Sequence, residues 1–436
     1  MNRELYAAHA KSLQQRYEQA LAAHGFDTVV IHSGSPKKRS EFDDQFFPLR
    51  PTPHFQHWVA LEEADCAIVV RIGRKPLLVW PVVDSFWERP REPALGHLGD
   101  AIEVIRPKSH KAVQDHLQGK TAFIGETGKM AAEWGIDSVN PEALTRDLDE
   151  LRVHKSDFEV ACIDEANRIS SLGHQAVFEA FQGGVFSELE LHLLYLKATA
   201  QDDPDTPYKN IVALGHNGAT LHHVSYGRSK VDAASLLVDA GAVHLGYCSD
   251  ITRTWVKGHG ALAGTFRGMV EGLEKAQLRL CDQAKSGLMY ETLHEDAHRE
   301  IAAILKDAGV ASGSTEAIAT TGISRAFFPH GLGHSLGLQC HDVGCALVKP
   351  KTANSALRHT RQIEERQCFT VEPGIYFIDG LLAALREKPE GKDVDWKLVE
   401  GLAAFGGIRI EDDLVVESGS TKNLTRPLLP RGGGAA

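Results

Sequence analysis

The sequence predicts an α/β chain of the α+β kind, with two domains and a short C-terminal tail. Three observations carry this. The first 150 residues alternate short β-rich runs with turn residues. A helix-capping motif at Ser156 opens a long helical stretch. Beyond it, strand-like runs carry single acidic residues in apolar surroundings. At 436 residues the chain is long enough for two or three domains around a large buried core.

Residues 4 to 24 have helical spacing, with Leu5, Ala8, Leu13, Tyr17 and Leu21 recurring at threes and fours, and Gly25 is the expected stop. DTVVIHSG, CAIVVRI, PLLVWPV, IEVIRP and TAFIGE then read as strands of a mixed α/β domain without a catalytic cluster. Ser156-Asp157-Phe158-Glu159 has the Ser-x-x-Glu form of a capping box, so the domain boundary is placed just before Ser156. The helix runs from 158 to about 182, Gly183-Gly184 ends it, and SELELHLLYLKATA starts another. YKNIVALG and ASLLVDAGAVHLGYCSDITRTW are strands, about 265 to 308 holds two helices, and CFTVEPGIYF and GGIRIEDDLVV close the domain. RGGGAA, residues 431–436, is expected to be a disordered tail.

With 47 basic against 58 acidic residues the net charge is −11, which argues against nucleic acid or an anionic membrane as the main partner. Seven cysteines, an odd count without a CxxC pair, fit reduced thiols rather than a disulfide framework. The N-terminus is amphipathic and charged, without a signal-peptide core, and no apolar run approaches a membrane span. A cytoplasmic location is the expectation.

Five candidate metal ligands follow in order: Asp239 in LLVDAGA, Asp250 in YCSDITRTW, His334 in PHGLGHSLG, Glu372 in TVEPGIYF and Glu411 in GGIRIEDD. Four carboxylates and an imidazole make a hard, oxygen-rich set suited to two divalent cations, and such a pair is a hydrolytic device. Asp239 and Asp250 are equidistant from a turn expected near His244, Leu245 and Gly246, so a hairpin would set them face to face. Two carboxylates there repel unless a cation lies between them; the bland alternative is a surface hairpin with two solvated aspartates. Arg409 lies two residues before Glu411 on the same face of a strand, as a salt-bridge partner or as a group that neutralises or grips a substrate. Each ligand taken singly has an ordinary structural reading. Their order and frames together do not.

These frames resemble the binuclear metallopeptidases of the pita-bread fold, the superfamily of methionyl aminopeptidase, aminopeptidase P and prolidase. The likeness covers most of the chain from about residue 156 onward. FFPHGLGHSLGLQCHDVG, TVEPGIYFIDGLLAALRE, FGGIRIEDD and the N-terminal DDQFFPLRPTPHFQHW are most similar to bacterial Xaa-Pro dipeptidases (prolidases) and their organophosphorus acid anhydrolase relatives. The resemblance implies a creatinase-like N-terminal domain over 1–155 and a pita-bread catalytic domain over 156–430. It implies that Asp239 chelates one metal, that Asp250 and Glu411 bridge two, and that His334 and Glu372 complete the other. The metal it implies is manganese, with cobalt a common substitute; the ligand chemistry agrees and leaves zinc and iron open.

The resemblance also implies roles around the metals. His222, His330 and His341 contact substrate, with His341 stabilising the tetrahedral intermediate and His222 on the leaving-group side, although a chain with 22 histidines has many in core or surface positions. Glu372, a ligand that can also hold a proton, is the proton shuttle of this reading. Arg409 and Arg358 hold the substrate's C-terminal carboxylate, which restricts the enzyme to short peptides. Tyr208 and Tyr290 match pocket tyrosines, and Asp44 an acidic residue lent to a neighbouring subunit of a homodimer. Two features depart from the family: Glu364-Glu365-Arg366-Gln367 replaces a Pro-Gly turn, and His223 stands where relatives often have tyrosine.

His294-Glu295-Asp296-Ala297-His298 fits the HExxH zinc-protease pattern. Ile301 and Ile304 stand where the extended motif needs Gly and His, so an amphipathic helix burying Leu293, Ala297, Ile301 and Leu305 is preferred. The resulting expectation is metal-dependent hydrolysis of Xaa-Pro dipeptides, with organophosphorus esters as a side substrate. The competing readings are aminopeptidase P-like cleavage of longer peptides and a metal-free pita-bread binding protein.

Overall fold

The structure, a computed structural model, describes residues 3–82, 86, 95–126, 128–431 and 433–434. It divides into two compact units, Met1–Ala161 and Cys162–Ala436. The division falls in the first turns of the helix Asp157–Gly183, a few residues beyond the expected boundary. The capping box forms: Ser156 N donates to Glu159 Oε2 (2.8 Å) and Glu159 N to Ser156 Oγ (3.3 Å).

The first unit is a six-stranded sheet made of β1 (Thr28–His32), β2 (Ala67–Arg71), β3 (Leu77–Val79), β4 (Glu103–Ile105), β5 (Thr121–Ile124) and β6 (Ser138–Val139). Its order is β4-β3-β2-β1-β5-β6, antiparallel across β3-β2-β1 and parallel elsewhere. The helix Arg3–Ala23 buries Tyr6, Ala10, Leu13, Tyr17 and Leu21. The stripe therefore begins one residue later than the expected Leu5, and Ala8 is exposed, because Tyr6 enters the core and donates its hydroxyl to the Trp58 carbonyl at 2.6 Å. Gly25, at φ 68°, takes the left-handed turn after the helix.

The second unit contains β7 (Ile211–Leu214), β8 (Ser235–Asp239), β9 (Val243–His244), β10 (Tyr247–Cys248), β11 (Thr252–Val256), β12 (Cys368–Val371), β13 (Gly374–Tyr376), β14 (Gly407–Arg409), β15 (Asp412–Glu417), β16 (Ser420–Asn423) and β17 (Gly433–Gly434). One sheet runs β17-β11-β8-β7, a second β12-β15-β16, and β13-β14 and β9-β10 form ribbons. The helices Ala261–Gln283 and Tyr290–Asp307 bury Phe266, Leu273, Leu293 and Ile301 in one core with Phe369, Ile375, Ile408 and Leu414 from the strands. Val177, Phe181 and Leu191 pack with Val212, Leu236 and Trp255 in another. Of the expected tail, Gly433 and Gly434 pair in parallel with Thr254 and Trp255, and residues 432, 435 and 436 lie outside the described residues.

Strand breaks aim the acidic side chains. β9 and β10 are joined by Leu245 (φ 52°) and Gly246 (φ 87°), a tight two-residue turn with positive φ at both positions. That turn sets the register of the wider hairpin, so Asp239 pairs with Thr252 and not with Asp250, correcting the face-to-face expectation. Asp250 falls in the gap between β10 and β11. Glu372 sits in the gap between β12 and β13, ahead of Pro373, which cannot donate to a ladder. Glu411 sits in the gap between β14 and β15.

Candidate metal centre

The three gap residues join Asp239, at the end of β8, and His334, on a loop, in one cluster. Asp239, Asp250, His334 and Glu411 are 9 % exposed or less. Ligand atoms of Asp250, His334 and Glu411 lie within 4.8 Å of one another. His334 Nε2 stands 3.4 Å from Asp250 Oδ2 and 3.7 Å from Glu372 Oε1. Its Nδ1 faces the Ser335 carbonyl at 3.0 Å, which leaves Nε2 as the ligating nitrogen. The loop that carries it lies so close to β12 that a Cβ on Gly333 would meet the Thr370 carbonyl oxygen at 2.2 Å. Tyr208 donates across the pair, to Asp239 Oδ1 at 2.7 Å and Asp250 Oδ1 at 2.5 Å. Thr252 Oγ1 donates to Glu411 Oε2 at 2.6 Å.

The charge balance of this cluster is poor for protein groups alone. Burial, opposed by Arg409, raises Asp239, with Asp250 adding to the rise. Burial would raise Asp250 too, but its contact with His334 pulls it down. Burial and neighbouring carboxylates push Glu411 well above the ordinary carboxylate range and Glu372 up to about 7. Burial opposes the charge on His334, yet Asp250 and Glu372 win and raise it to about 9. Three buried carboxylates and the half-buried Glu372 therefore share one arginine and one histidine. Buried anions of this kind are paired or bind metal. The oxygen-rich donors fit two hard divalent cations, and Asp239, Asp250, His334, Glu372 and Glu411 can hold them.

The cluster opens into a cavity of about 850 Å³, also lined by Tyr208, His222, His330, His341, Arg358 and Arg409. His330 is fixed by Tyr376, whose hydroxyl lies 2.8 Å from Nε2, and burial lowers its pKa to about 3. His341 is exposed at the cavity mouth, with Nδ1 3.3 Å from Arg358 Nη1, and partial loss of water on its cavity side, with the charges of His334 and Arg358, lowers it to about 4. Arg409 is placed differently from a carboxylate clamp. Its Nη2 donates to Asp239 Oδ2 (2.6 Å), Nη1 to Tyr376 OH (2.9 Å) and Nε to Thr252 Oγ1 (3.2 Å), so all three nitrogens already serve protein groups. Arg358 is exposed on the cavity wall.

Two expected site residues lie elsewhere. Tyr290 is fully buried, donates to the Thr370 carbonyl at 2.7 Å and stacks on His359 at 4.2 Å, so it backs the ligand strand rather than lining the cavity. Asp44 is exposed in the first unit, where Gln45 Nε2 donates to it at 3.0 Å. The unusual Glu364–Gln367 stretch is a tight turn with Arg366 at φ 69°. His223 is 2.9 Å from Glu188. His294 and His298 share a helix face but His298 faces Ser324 and Arg325, and Glu295 pairs with Lys351. Among the described residues no metal-type cluster includes either histidine.

Four residues of the site were not singled out in the sequence. Thr252 and Tyr376 hold Glu411 and Arg409, Glu188 anchors the loop bearing His222, and Cys340 donates its thiol to Asp250 Oδ2 at 2.9 Å. The neighbouring His341 was the one available signal for Cys340.

Comparison with known proteins decides the family. The model of metallopeptidase family M24 matches residues 161–418. The chain belongs to metallopeptidase family M24. It is thus a metal-dependent hydrolase, and the M24 match spans all five donors. A second model, the N-terminal domain of Xaa-Pro dipeptidase, matches residues 4–149. The chain is 37 % identical to an Xaa-Pro dipeptidase of Pseudoalteromonas atlantica over 98 % of both chains. It is 39 % identical to one of Marinobacter nauticus over 97 % of this chain and 98 % of the other. Among solved structures, aminopeptidase P of E. coli with the inhibitor Pro-Leu matches with a TM-score of 0.74, 21 % identity, and coverage of 98 % of this chain and 96 % of that one. Proline aminopeptidase P II of Yersinia pestis matches with a TM-score of 0.73, 23 % identity, and coverage of 98 % and 97 %. The M24 unit has the pita-bread fold, preceded in sequence by the mixed α/β unit.

Proposed function

We propose that this M24 enzyme hydrolyses Xaa-Pro dipeptides. The observation that carries the reading is one cavity that joins the five-donor cluster to Arg358 on its wall. The full-length relatives named Xaa-Pro dipeptidase support it. Arg358 pairs with the dipeptide's free carboxylate; Arg409, committed to Asp239, holds the cluster together instead. Leu221, Val224 and Ile211 give the cavity an apolar wall suited to a proline ring.

Asp239, Asp250, His334, Glu372 and Glu411 would hold the two divalent ions. Two such ions, when bound, supply Lewis acidity, lowering the pKa of a water and polarising the scissile carbonyl. Glu372 holds the proton released from that water at Oε2, the oxygen 3.8 Å from His330 and not the one nearer His334. His341 donates to the developing oxyanion. His222, on the cavity wall, serves the departing imide nitrogen. Manganese is the proposed ion, because four of five donors are carboxylates.

The working form is a homodimer in which Asp44 completes the neighbouring subunit's site. Phe42, wholly exposed beside it, supports a covering partner. Seven free thiols suit a cytoplasmic setting, and among the described residues no helix is long and apolar enough to cross a membrane. Turnover of Ala-Pro against Ala-Pro-Ala tests the substrate reading. A strong preference for the dipeptide is expected; a strong preference for the tripeptide overturns it in favour of aminopeptidase P-like cleavage.

A further inference from the structure

Cys340 is the cavity thiol that the hydrolytic reading leaves without a task. Its sulfur is 2.9 Å from Asp250 Oδ2. Ligand atoms of His334, Cys340 and His341 lie within 4.8 Å of one another. The rings of His334 and His341 meet edge to face at 4.4 Å. Tetrahedral zinc, with bonds of about 2.0–2.3 Å, sets its donors roughly 3.3–3.8 Å apart, so inward closure of this trio gives a sulfur, two-nitrogen set, and Asp250 Oδ2, outside the trio but beside the sulfur, offers the oxygen. Exposure rises from buried His334 through half-buried Cys340 to exposed His341, so the donors are reachable from the cavity. The other six cysteines are buried. A rival cluster, His9, His57 and Glu159, is weaker because both ring nitrogens of His9 are already engaged, by Ser156 and the His57 carbonyl.

We propose that Cys340, His341 and His334, with Asp250 beside them, form a thiophilic subsite that captures zinc- or cadmium-class ions and arrests the enzyme. Hard ions such as manganese prefer oxygen and leave the thiol alone; softer ions recruit it. The thiol proton passes to solvent as the sulfur binds. Capture draws His334 and Asp250 into a tetrahedral site and turns His341 away from substrate. The arrest rests on the role given to His341 above; the sulfur ligation does not.

The test titrates cadmium into the full-length manganese-loaded protein and follows the ultraviolet thiolate-to-cadmium charge-transfer band. Zinc inhibition of Ala-Pro hydrolysis is read in parallel. The wild type should show one equivalent of band per chain, and Cys340→Val should lose it. Each protein is scored against its own manganese activity, and half-inhibition of Cys340→Val should need at least about tenfold more zinc. Cys340→Ala, smaller than valine, guards against a packing artefact and should behave alike. A band that persists in both variants, or zinc sensitivity unchanged in both, overturns the proposal. A band lost with Cys340 in a protein that does not cleave Ala-Pro upholds the subsite and removes the dipeptidase reading instead.

Discussion

Replacing Arg409 with methionine separates the two sources of positive charge available to Asp239. Arg409 is buried, and its Nη2 donates to Asp239 Oδ2 at 2.6 Å. Its other nitrogens hold Tyr376 and Thr252, which in turn hold His330 and Glu411. Methionine keeps much of the volume and removes the charge. Without metal, Asp239 is left beside Asp250 with no cation, and breaking a buried pair in this way costs about 3–5 kcal/mol. For a unit of this size that lowers the melting midpoint by roughly 6–20 °C. With manganese bound, the metal supplies the missing counter-charge, so less than about half of that loss should remain. The thermodynamic cycle then requires the variant to bind metal more tightly, by about tenfold to a hundredfold. Thermal denaturation in chelator and in saturating manganese gives the first pair of numbers, and calorimetric titration gives the last. Equal losses in both states, or a loss below about 2 °C in chelator, would show that Arg409 is not the counter-charge of Asp239.

Three further outcomes are expected. His32, His57 and His294 are buried and each lowered to about 4 from 6.5, chiefly by burial, so between those values the unfolded chain binds more protons and stability rises with pH. At pH 5 each should have lost about 2 kcal/mol relative to pH 7, and urea midpoints that stay level between these pH values would contradict the neutral burial. Arg358→Ala should raise the KM for Ala-Pro about tenfold to a hundredfold while barely changing that for Ala-Pro amide, and an equal rise for both would remove Arg358 as the carboxylate partner. Glu188 accepts from Leu214 N, Asn217 Nδ2, His223 Nε2 and Gly227 N at 2.7–2.9 Å, and Glu188→Gln turns one of its two acceptors into a donor. Faster amide exchange at Leu214 or Gly227 and a roughly tenfold lower kcat at unchanged metal content should follow; unchanged exchange would mean that Glu188 does not anchor the His222 loop.

Local pattern revealed the elements and the donors, whereas register and partnership depended on distant chain. The β-rich runs and the Ser156 box stand where composition and capping chemistry put them. The Asp239–Asp250 hairpin was visible, but its register was set by positive φ at both Leu245 and Gly246, which shifts the pairing and leaves Asp250 in a gap. Arg409 and Glu411 do share a strand neighbourhood, yet Arg409's partner is Asp239, 170 residues away, which no local spacing reveals. Tyr290 sits in a matching frame but points into the core, because its helix packs against the strands through that face. The HExxH pattern met the same limit in reverse: its histidines share a face, but that face is turned to Phe328 and Arg325 rather than to carboxylates.

A dinuclear hydrolytic centre at the five-donor cluster depends on bound metal for its activity. Its most direct test removes metal with chelator, restores manganese stepwise, and records bound metal alongside Ala-Pro hydrolysis, for the wild type and for Asp250→Ala. The wild type should be inactive when stripped and regain activity as two ions per chain bind, while Asp250→Ala, lacking one of the five donors, should bind fewer ions and stay inactive. Hydrolysis by the stripped wild type, or by manganese-treated Asp250→Ala, would contradict it.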